Sequence, residues 1–341
     1  MTVDAMPYEP LGASGLKVSP LWLGTMMFGD QTDEHEAARI VASAREAGVN
    51  AIDTANAYAD GESERITGRL IKADREHWVL ASKLANPMGP GPNDRGLSRR
   101  HIVQAVDASL LRLGTDWLDV LYLHREDPTT PLEETLAAVA HLVERGKIHH
   151  FGVSNFRAWR VARTVEMCRA MGIAAPIVCQ PPYNAMSRAI ETELLPCCDH
   201  YGVGVVVYSP LARGVLSGKY RPDATPPEGS RAARNDKRIL QTEFRAESLA
   251  LAQKMAERAR LRGVTPTAFA LAWVWNNRLV HGVIAGPKTL AQWQDYVDAI
   301  GQPFDADDEA FASALVAAGH ASTPNYTDPQ YPVTGRVPRT G

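Results

Sequence analysis

Apolar runs of strand length alternate with longer segments of helical spacing along nearly the whole chain. Leu21–Gly24, the runs ending at Asp53, Lys83 and His124, Ile148–Val153, Pro176–Gln180, Val203–Tyr208 and His281–Ile284 each read as a strand. The segments between them carry helix start and stop signals. Asp33–Ala47 has an acidic first turn and Gly48 as its stop, and Ser98 caps a helix running to Leu113. Further helices are predicted over Gly61–Lys72, from Pro131, up to Met171, over about Ala189–Tyr201, on both sides of Gly263, over Thr289–Ile300 and near Asp305–Ala318. Tyr8–Val18, with Gly12 and Gly15, reads as a hairpin. Asn86–Gly96 is rich in Gly and Pro and reads as a loop. A long polar loop, Ala212–Gln241, follows the seventh strand.

Eight strand-plus-helix units predict a (β/α)8 TIM barrel of the α/β class. It would carry an N-terminal hairpin, a long loop after strand seven, and a C-terminal helix and tail. Residues 1–341 read as one domain, with a core over about 8–300 and the C-terminal helix and tail over 301–341. A doubly wound sheet is the rival at this length. Such sheets usually carry a Gly-rich phosphate turn after the first strand. Here that position holds Thr25-Met26-Met27-Phe28-Gly29, which has no such pattern.

Parallel barrel strands all finish on one face, where barrel chemistry is built. Asp53, Lys83 and His124 each end a strand, and Tyr58 follows Asp53 by five positions. A carboxylate, a phenol, an ammonium and an imidazole would then share one pocket. A lone charged residue at a strand end is most often just the first solvated position. Three reactive groups at successive strand ends, with a fourth in the loop after the first of them, point to a site.

Composition narrows the classes of function. Hydrophobic residues make up 45% of the chain, enough for a substantial core. Lys and Arg number 36 against 39 Asp and Glu, which leaves no electrostatic footprint for nucleic acid. The longest apolar runs are strand-sized, far short of the roughly 20 residues of a membrane helix. The opening residues lack a basic region followed by an apolar stretch, so no secretory signal is expected. Cys168, Cys179, Cys197 and Cys198 show neither metal spacing nor a disulfide framework; as reduced thiols they suit the cytoplasm. His101 and His141 fall on predicted helices, and His149 and His150 begin strand five, at the opposite end from His124. They do not converge, and no metal is expected.

The motifs carry a family resemblance. Gly48-Val49-Asn50-Ala51-Ile52-Asp53-Thr54-Ala55-Asn56-Ala57-Tyr58 resembles the aldo-keto reductase signature around the catalytic Asp and Tyr. Gly146-Lys147-Ile148 through Gly152-Val153-Ser154-Asn155-Phe156 resembles the second signature. Tyr208-Ser209-Pro210-Leu211-Ala212-Arg213-Gly214 is similar to the cofactor-wrapping segment of the bacterial branch and of potassium-channel beta subunits. Gly218-Lys219-Tyr220 and Gly229-Ser230-Arg231 extend the likeness, which covers roughly Tyr8 to Ile300.

The resemblance implies NADPH-dependent reduction of an aldehyde or ketone to the alcohol, reversible in principle. Tyr58 would be the general acid. Lys83 would lower the phenol's pKa from its ordinary value near ~10. Asp53 would hold Lys83 charged, and His124 would orient the substrate oxygen. Ser154, Asn155 and Gln180 would hold the nicotinamide carboxamide and Tyr208 would stack on the ring. Thr25 and Met26 would line the adjoining ribose, with Asp53 close by. Backbone groups of Ser209, Leu211 and Gly214 would meet the pyrophosphate, Pro210 and Arg213 belong to the same cofactor-binding segment, and Lys219 and Arg231 would fold over the cofactor. Around Ala285-Gly286-Pro287-Lys288, the resemblance implies a 2′-phosphate clamp with Gly286, Lys288 and Gln292, and Asp295 matches the family's acidic position. Tyr296 departs from the family's usual Asn. Met27, Phe28, Asn86, Pro87 and Arg125 would help wall the substrate pocket. Expected partners are a small-molecule carbonyl compound, without nucleic acid or membrane. Two other functions fit parts of the pattern: an NADPH-binding regulatory module with little turnover, like channel beta subunits, and a metal-dependent hydrolase barrel.

Overall fold

The structure, a computed structural model, describes residues 6–333. The strands are β1 (Glu9–Pro10), β2 (Lys17–Val18), β3 (Leu21–Gly24), β4 (Ala51–Asp53), β5 (Val79–Leu84), β6 (Leu118–Leu123), β7 (Ile148–Ser154), β8 (Val178–Gln180), β9 (Gly204–Val207) and β10 (Gly282–Ala285). The helices are α1 (Glu34–Glu46), α2 (Glu62–Ile71), α3 (Arg99–Leu113), α4 (Leu132–Glu144), α5 (Ala158–Met171), α6 (Leu194–Tyr201), α7 (Lys237–Gln241), α8 (Ala246–Leu261), α9 (Pro266–Trp275), α10 (Leu290–Val297) and α11 (Ala306–Leu315). Two compact units form. One takes the chain up to Pro182 with Glu193–Tyr208 and Asn277–Asp298; the other takes Tyr183–Thr192, Ser209–Asn276 and the chain from Ala299.

The first unit is the barrel. Strands β3 to β10 pair in parallel in chain order, and β10 closes onto β3. Strand β1 pairs antiparallel with β2. Side chains alternate between the two faces of a strand. One buried cluster therefore takes Trp22, Ala51, Val79, Ala81, Val120, Tyr122, Val178, Val206 and Ile284 from seven of the strands. Leu11 and Val18 of the hairpin join it. Gly12, at φ 57, makes that approach feasible: a Cβ there would lie 2.4 Å from the Ile177 carbonyl oxygen.

Local signals set the helix starts. The Asp33 side chain accepts from the Glu36 N–H at 2.8 Å and opens α1; Ser98 does the same for α3 through His101 at 3.3 Å. Such caps are worth about 1 kcal/mol each. Gly68 lets α2 lie against the end of α3, since a Cβ there would lie 2.0 Å from the Leu113 carbonyl oxygen. The helix expected over Ala189–Tyr201 is divided into a 3-10 turn, Ala189–Glu191, and α6. Pro196 has no N–H to give to the preceding turn, so a regular helix can hold it only in its first turn.

The second unit contains α7, α8, α9 and α11. The expected long polar loop proves partly ordered, with a 3-10 segment over Ala212–Ser217 and the short α7. Asp305 and Asp308 form a capping box at the start of α11, and Arg258 and Arg262 of the α8 end pair with them. The tail past α11 is held within this unit. Ala321 bridges to Ser187, Asp328 takes both Nη atoms of Arg238, and the Arg245 guanidinium lies 3.7 Å above the Tyr326 ring.

Candidate active site

Strand parity builds the site. Inward-facing Ala51 is followed two positions later by Asp53, Ala81 by Lys83, and Tyr122 by His124. The three polar residues are thus the next layer above an apolar barrel interior. The same step carries Gly152 to Ser154, Val178 to Gln180 and Val206 to Tyr208. Tyr58 arrives from the loop after β4, in a 3-10 turn whose Ala59 and Asp60 take positive φ.

The structure brings all four together. Lys83 is fully buried, and its Nζ donates to Asp53 Oδ1, to the Thr54 carbonyl at 2.9 Å and to the Tyr58 phenol oxygen at 3.1 Å. Three donor protons therefore meet three acceptors. The ammonium also lies 4.8 Å from the Tyr58 ring centre. The Tyr58 and His124 rings meet edge to face at 6.0 Å.

Electrostatics follow from burial. Burial by itself lowers the Lys83 pKa, but attraction to Asp53 and Tyr58 overrides it and leaves the amine above its ordinary value. Lys83 is therefore charged. Burial raises the Asp53 carboxyl, opposed by Lys83 and by the Gln180 amide. His124 is driven down to about 3 by burial and by the positive charges of Lys83 and Arg125, so its imidazole is neutral near pH 7. Tyr58 corrects the sequence expectation: its pKa lies above the ordinary value, not below it. Burial is the larger effect and the Asp53 charge adds to it, while Lys83 pulls the other way.

A second set of side chains is wired to the first. Gln180 Nε2 donates to Asp53 Oδ2 at 2.9 Å. Ser154 Oγ donates to the Gln180 carbonyl at 2.8 Å. Asn155, at φ 58, donates from Nδ2 to the His124 carbonyl at 2.9 Å and to Ser154 Oγ at 3.0 Å. The Tyr208 phenol donates to Asn155 Oδ1 at 2.8 Å. The sequence reading named all of these residues but missed that Gln180 is a direct partner of Asp53. Parity on β8 was the available signal.

Other expectations sort differently. Thr25 is fully buried, its hydroxyl shared with Ser63 and the Asp53 carbonyl, so it offers no surface to a ribose. Met26 is 39% exposed, whereas Met27 and Phe28 are buried. Of the apolar residues expected to wall the pocket, Met27 and Phe28, neither is exposed. Asn86 is half-buried, and Pro87 and Arg125 are exposed. Glu126, next to Arg125, accepts from the Arg157 N–H at 2.7 Å.

At the end of β10, the Lys288 N–H donates to Gln292 Oε1 at 2.9 Å, and the Lys288 carbonyl accepts from Thr32 at 2.9 Å. The backbone carrying the Lys288 ammonium is fixed from both sides. Gly286 has open space where a Cβ would be. Asp295, on α10, is raised by burial and by Asp298.

In the second unit, Ser209, Ala212, Arg213 and Gly214 all take positive φ, from 48 to 97°. Runs of this kind turn successive N–H groups toward one side and make anion-binding concavities. Lys219 reaches back over the run: a Cβ on Gly214 would lie 2.8 Å from its Nζ. Pro210 and Leu211 are buried. Arg213 Nε donates to Thr242 at 3.1 Å. Arg231 pairs with Asp236 at 3.1 Å, the residue that caps α7, so its guanidinium already has a carboxylate partner.

Among the described residues no group of three or more His, Cys, Asp or Glu side chains could hold a metal ion. No described helix is long and apolar enough to cross a membrane.

Comparison with known proteins gives this geometry its context. Residues 20–315 match the model of the aldo/keto reductase family. The chain is 39% identical over 300 residues to a probable voltage-gated potassium channel subunit beta of Arabidopsis thaliana, covering 86% of this chain and 91% of that protein. It is 38% identical over 286 residues to a protein of the same description from Oryza sativa subsp. japonica, covering 82% and 87%. A putative voltage-gated potassium channel subunit beta of Schizosaccharomyces pombe is 35% identical over 305 residues, covering 86% and 88%.

Proposed function

The chain belongs to the aldo/keto reductase family, and on that premise we propose that it reduces an aldehyde or ketone to the alcohol with NADPH, Tyr58 giving the proton. One observation carries this reading. The Tyr58 phenol oxygen lies 3.1 Å from a fully buried ammonium that is itself paired with Asp53.

Tyr58 has its proton at neutral pH, since burial raises its pKa. That is the form a donor must have. As negative charge grows on the substrate oxygen, the phenol gives up its proton and Lys83 stabilises the phenolate that forms. Asp53 keeps Lys83 charged and aimed. Neutral His124 donates a hydrogen bond to the same oxygen. The cofactor, when bound, would supply the hydride for the carbonyl carbon.

The residues present suit that cofactor. In the barrel unit, Ser154, Asn155, Gln180 and Tyr208 would hold the nicotinamide, and Lys288 with Gln292 the 2′-phosphate. In the second unit, the positive-φ run with Lys219 beside it suits phosphate oxygens. Candidate substrates are aromatic aldehydes, sugar-derived or polyketide ketones and dicarbonyls. A cytoplasmic location is the one that four free thiols favour.

The relatives' names support a second reading, an NADPH-binding regulatory module with little turnover. A panel of carbonyl compounds followed by NADPH absorbance separates the two. Sustained turnover that disappears in Tyr58→Phe supports the reductase. Tight NADPH binding without turnover on any compound supports the module.

A further inference from the structure

The loop after β5 turns sharply directly beyond the Lys83 layer. Ala85 takes φ 113, on the positive side of backbone space that a residue with a Cβ rarely adopts, and its carbonyl accepts from the Gly96 N–H at 2.9 Å. Such strain persists only where surrounding structure holds it, and it gathers at functional sites. Its consequence here is the aim of the next residue. The Asn86 amide nitrogen, Nδ2, lies 3.1 Å from His124 Nδ1.

An amide nitrogen can only donate. His124 Nδ1 must then be the bare, accepting nitrogen, and in a neutral imidazole the proton is on Nε2. The ring is held at its backbone as well. The His124 N–H donates to the Leu84 carbonyl at 2.9 Å, and its carbonyl accepts from Asn155 at 2.9 Å. Position and tautomer are therefore set by different partners.

We propose that Asn86 is a positioning residue that fixes His124 as the Nε2–H tautomer and thereby makes it a hydrogen-bond donor to the substrate oxygen. The second half of this statement rests on the reductase reading; the first half does not. Charge strengthens the arrangement. Lys83 and Arg125 both disfavour a protonated His124, so donation depends on the tautomer being right.

The test uses the full-length protein labelled with 15N-histidine, with the His124 signals identified by their loss in His124→Gln. Two-bond proton–nitrogen correlation spectra at pH 7 report which ring nitrogen is protonated. Wild type is expected to show Nε2–H. Asn86→Asp, of the same shape but accepting only, is expected to move a proton onto Nδ1. Asn86→Leu is expected to show mixed tautomers. A wild-type signal of Nδ1–H, or an unchanged signal in Asn86→Asp, overturns the proposal. With a carbonyl substrate, kcat is expected to fall about tenfold or more in Asn86→Asp, with NADPH affinity unchanged. Loss of kcat in Asn86→Leu but not in Asn86→Asp would make Asn86 a pocket wall only and overturn the proposal. If no carbonyl turns over while the spectra behave as expected, the tautomer assignment stands and the reductase reading falls.

Discussion

The two ends of the barrel contain nearly the same chemistry. At the carboxyl end Asp53, Lys83, Tyr58 and His124 meet. At the amino end Asp119, Arg75, Trp117 and His149 meet: Arg75 pairs with Asp119 at 2.8 Å and lies 4.7 Å from the Trp117 ring, on which His149 stacks. Each cluster has a carboxylate, a cation, an aromatic ring and an imidazole. What differs is where the hydrogen bonds go. Arg75 spends its donors on the Trp78 and Trp117 carbonyls and on Asp119, and Asp119 spends an acceptor on the Leu80 N–H. That cluster ties chain segments together. Lys83 gives one donor to the Tyr58 phenol, the proton donor of the proposed reaction. Burial differs too, with Lys83 and Asp53 side chains at 0% and 3% exposure, Arg75 and Asp119 at 11% and 15%, and His149 at 50%. Residue types alone do not distinguish the two clusters; desolvation and the choice of hydrogen-bond partners do.

The largest expected effect tests that distinction directly. Tyr58→Phe removes the reactive group and is expected to lower kcat by roughly 10²–10⁴, the usual range for general acid catalysis. NADPH affinity should stay nearly unchanged, because the phenol proton is used only in the chemical step. A Phe variant with wild-type kcat on a ketone would remove Tyr58 from the mechanism.

The two cations form the next contrast. Lys83→Met leaves a buried carboxylate without its partner, a change that costs about 3–5 kcal/mol. It should also lower kcat and shift the pH profile, and by more than Asp53→Asn, since Asp53 acts through Lys83. Arg75→Met loses a charge-assisted bond worth about 1.5–3 kcal/mol and should leave kcat in place. Denaturant titration and steady-state rates on the three variants check both arms. Equal losses of kcat in Lys83→Met and Arg75→Met would erase the difference between the two ends.

Lys288→Ala probes the outer part of the carboxyl end. One lost charge-assisted contact, worth about 1.5–3 kcal/mol, should weaken NADPH binding about ten- to a hundredfold and leave NADH binding nearly unchanged. Fluorescence titration with both cofactors gives the ratio, and the parent's NADPH-to-NADH preference in the variant would dismiss Lys288 as a phosphate ligand.

The last contrast is in stability against pH, and for activity at neutral pH it matters least. His124 has a folded pKa of about 3, below its unfolded value of about 6.5. Between these values the unfolded chain binds the extra proton. The contribution of His124 is thus fully present above about pH 6.5 and is lost as pH falls toward about 3. His124→Gln should flatten the stability curve across that window relative to wild type. An unchanged acid limb would mean that His124 is solvated.

The sequence by itself determined the order of strands and helices, because apolar periodicity and caps such as Asp33 and Ser98 act within a few residues. It determined the barrel as well, since eight alternating units leave few closed topologies. Their places at the finishing ends of parallel strands then assigned Asp53, Lys83 and His124 to one end. Only tertiary structure decided what those groups became. The Gln180 amide reaches Asp53 from a strand 127 positions later. Phe28 and Thr25 turn inward because neighbouring elements cover them. The Tyr58 pKa rises because burial outweighs Lys83, although the family resemblance implied the reverse. Asn86 meets His124 because a strained turn at Ala85 aims it there. Local pattern is a matter of spacing along the chain, whereas desolvation and hydrogen-bond partnership depend on distances in space that the fold alone sets.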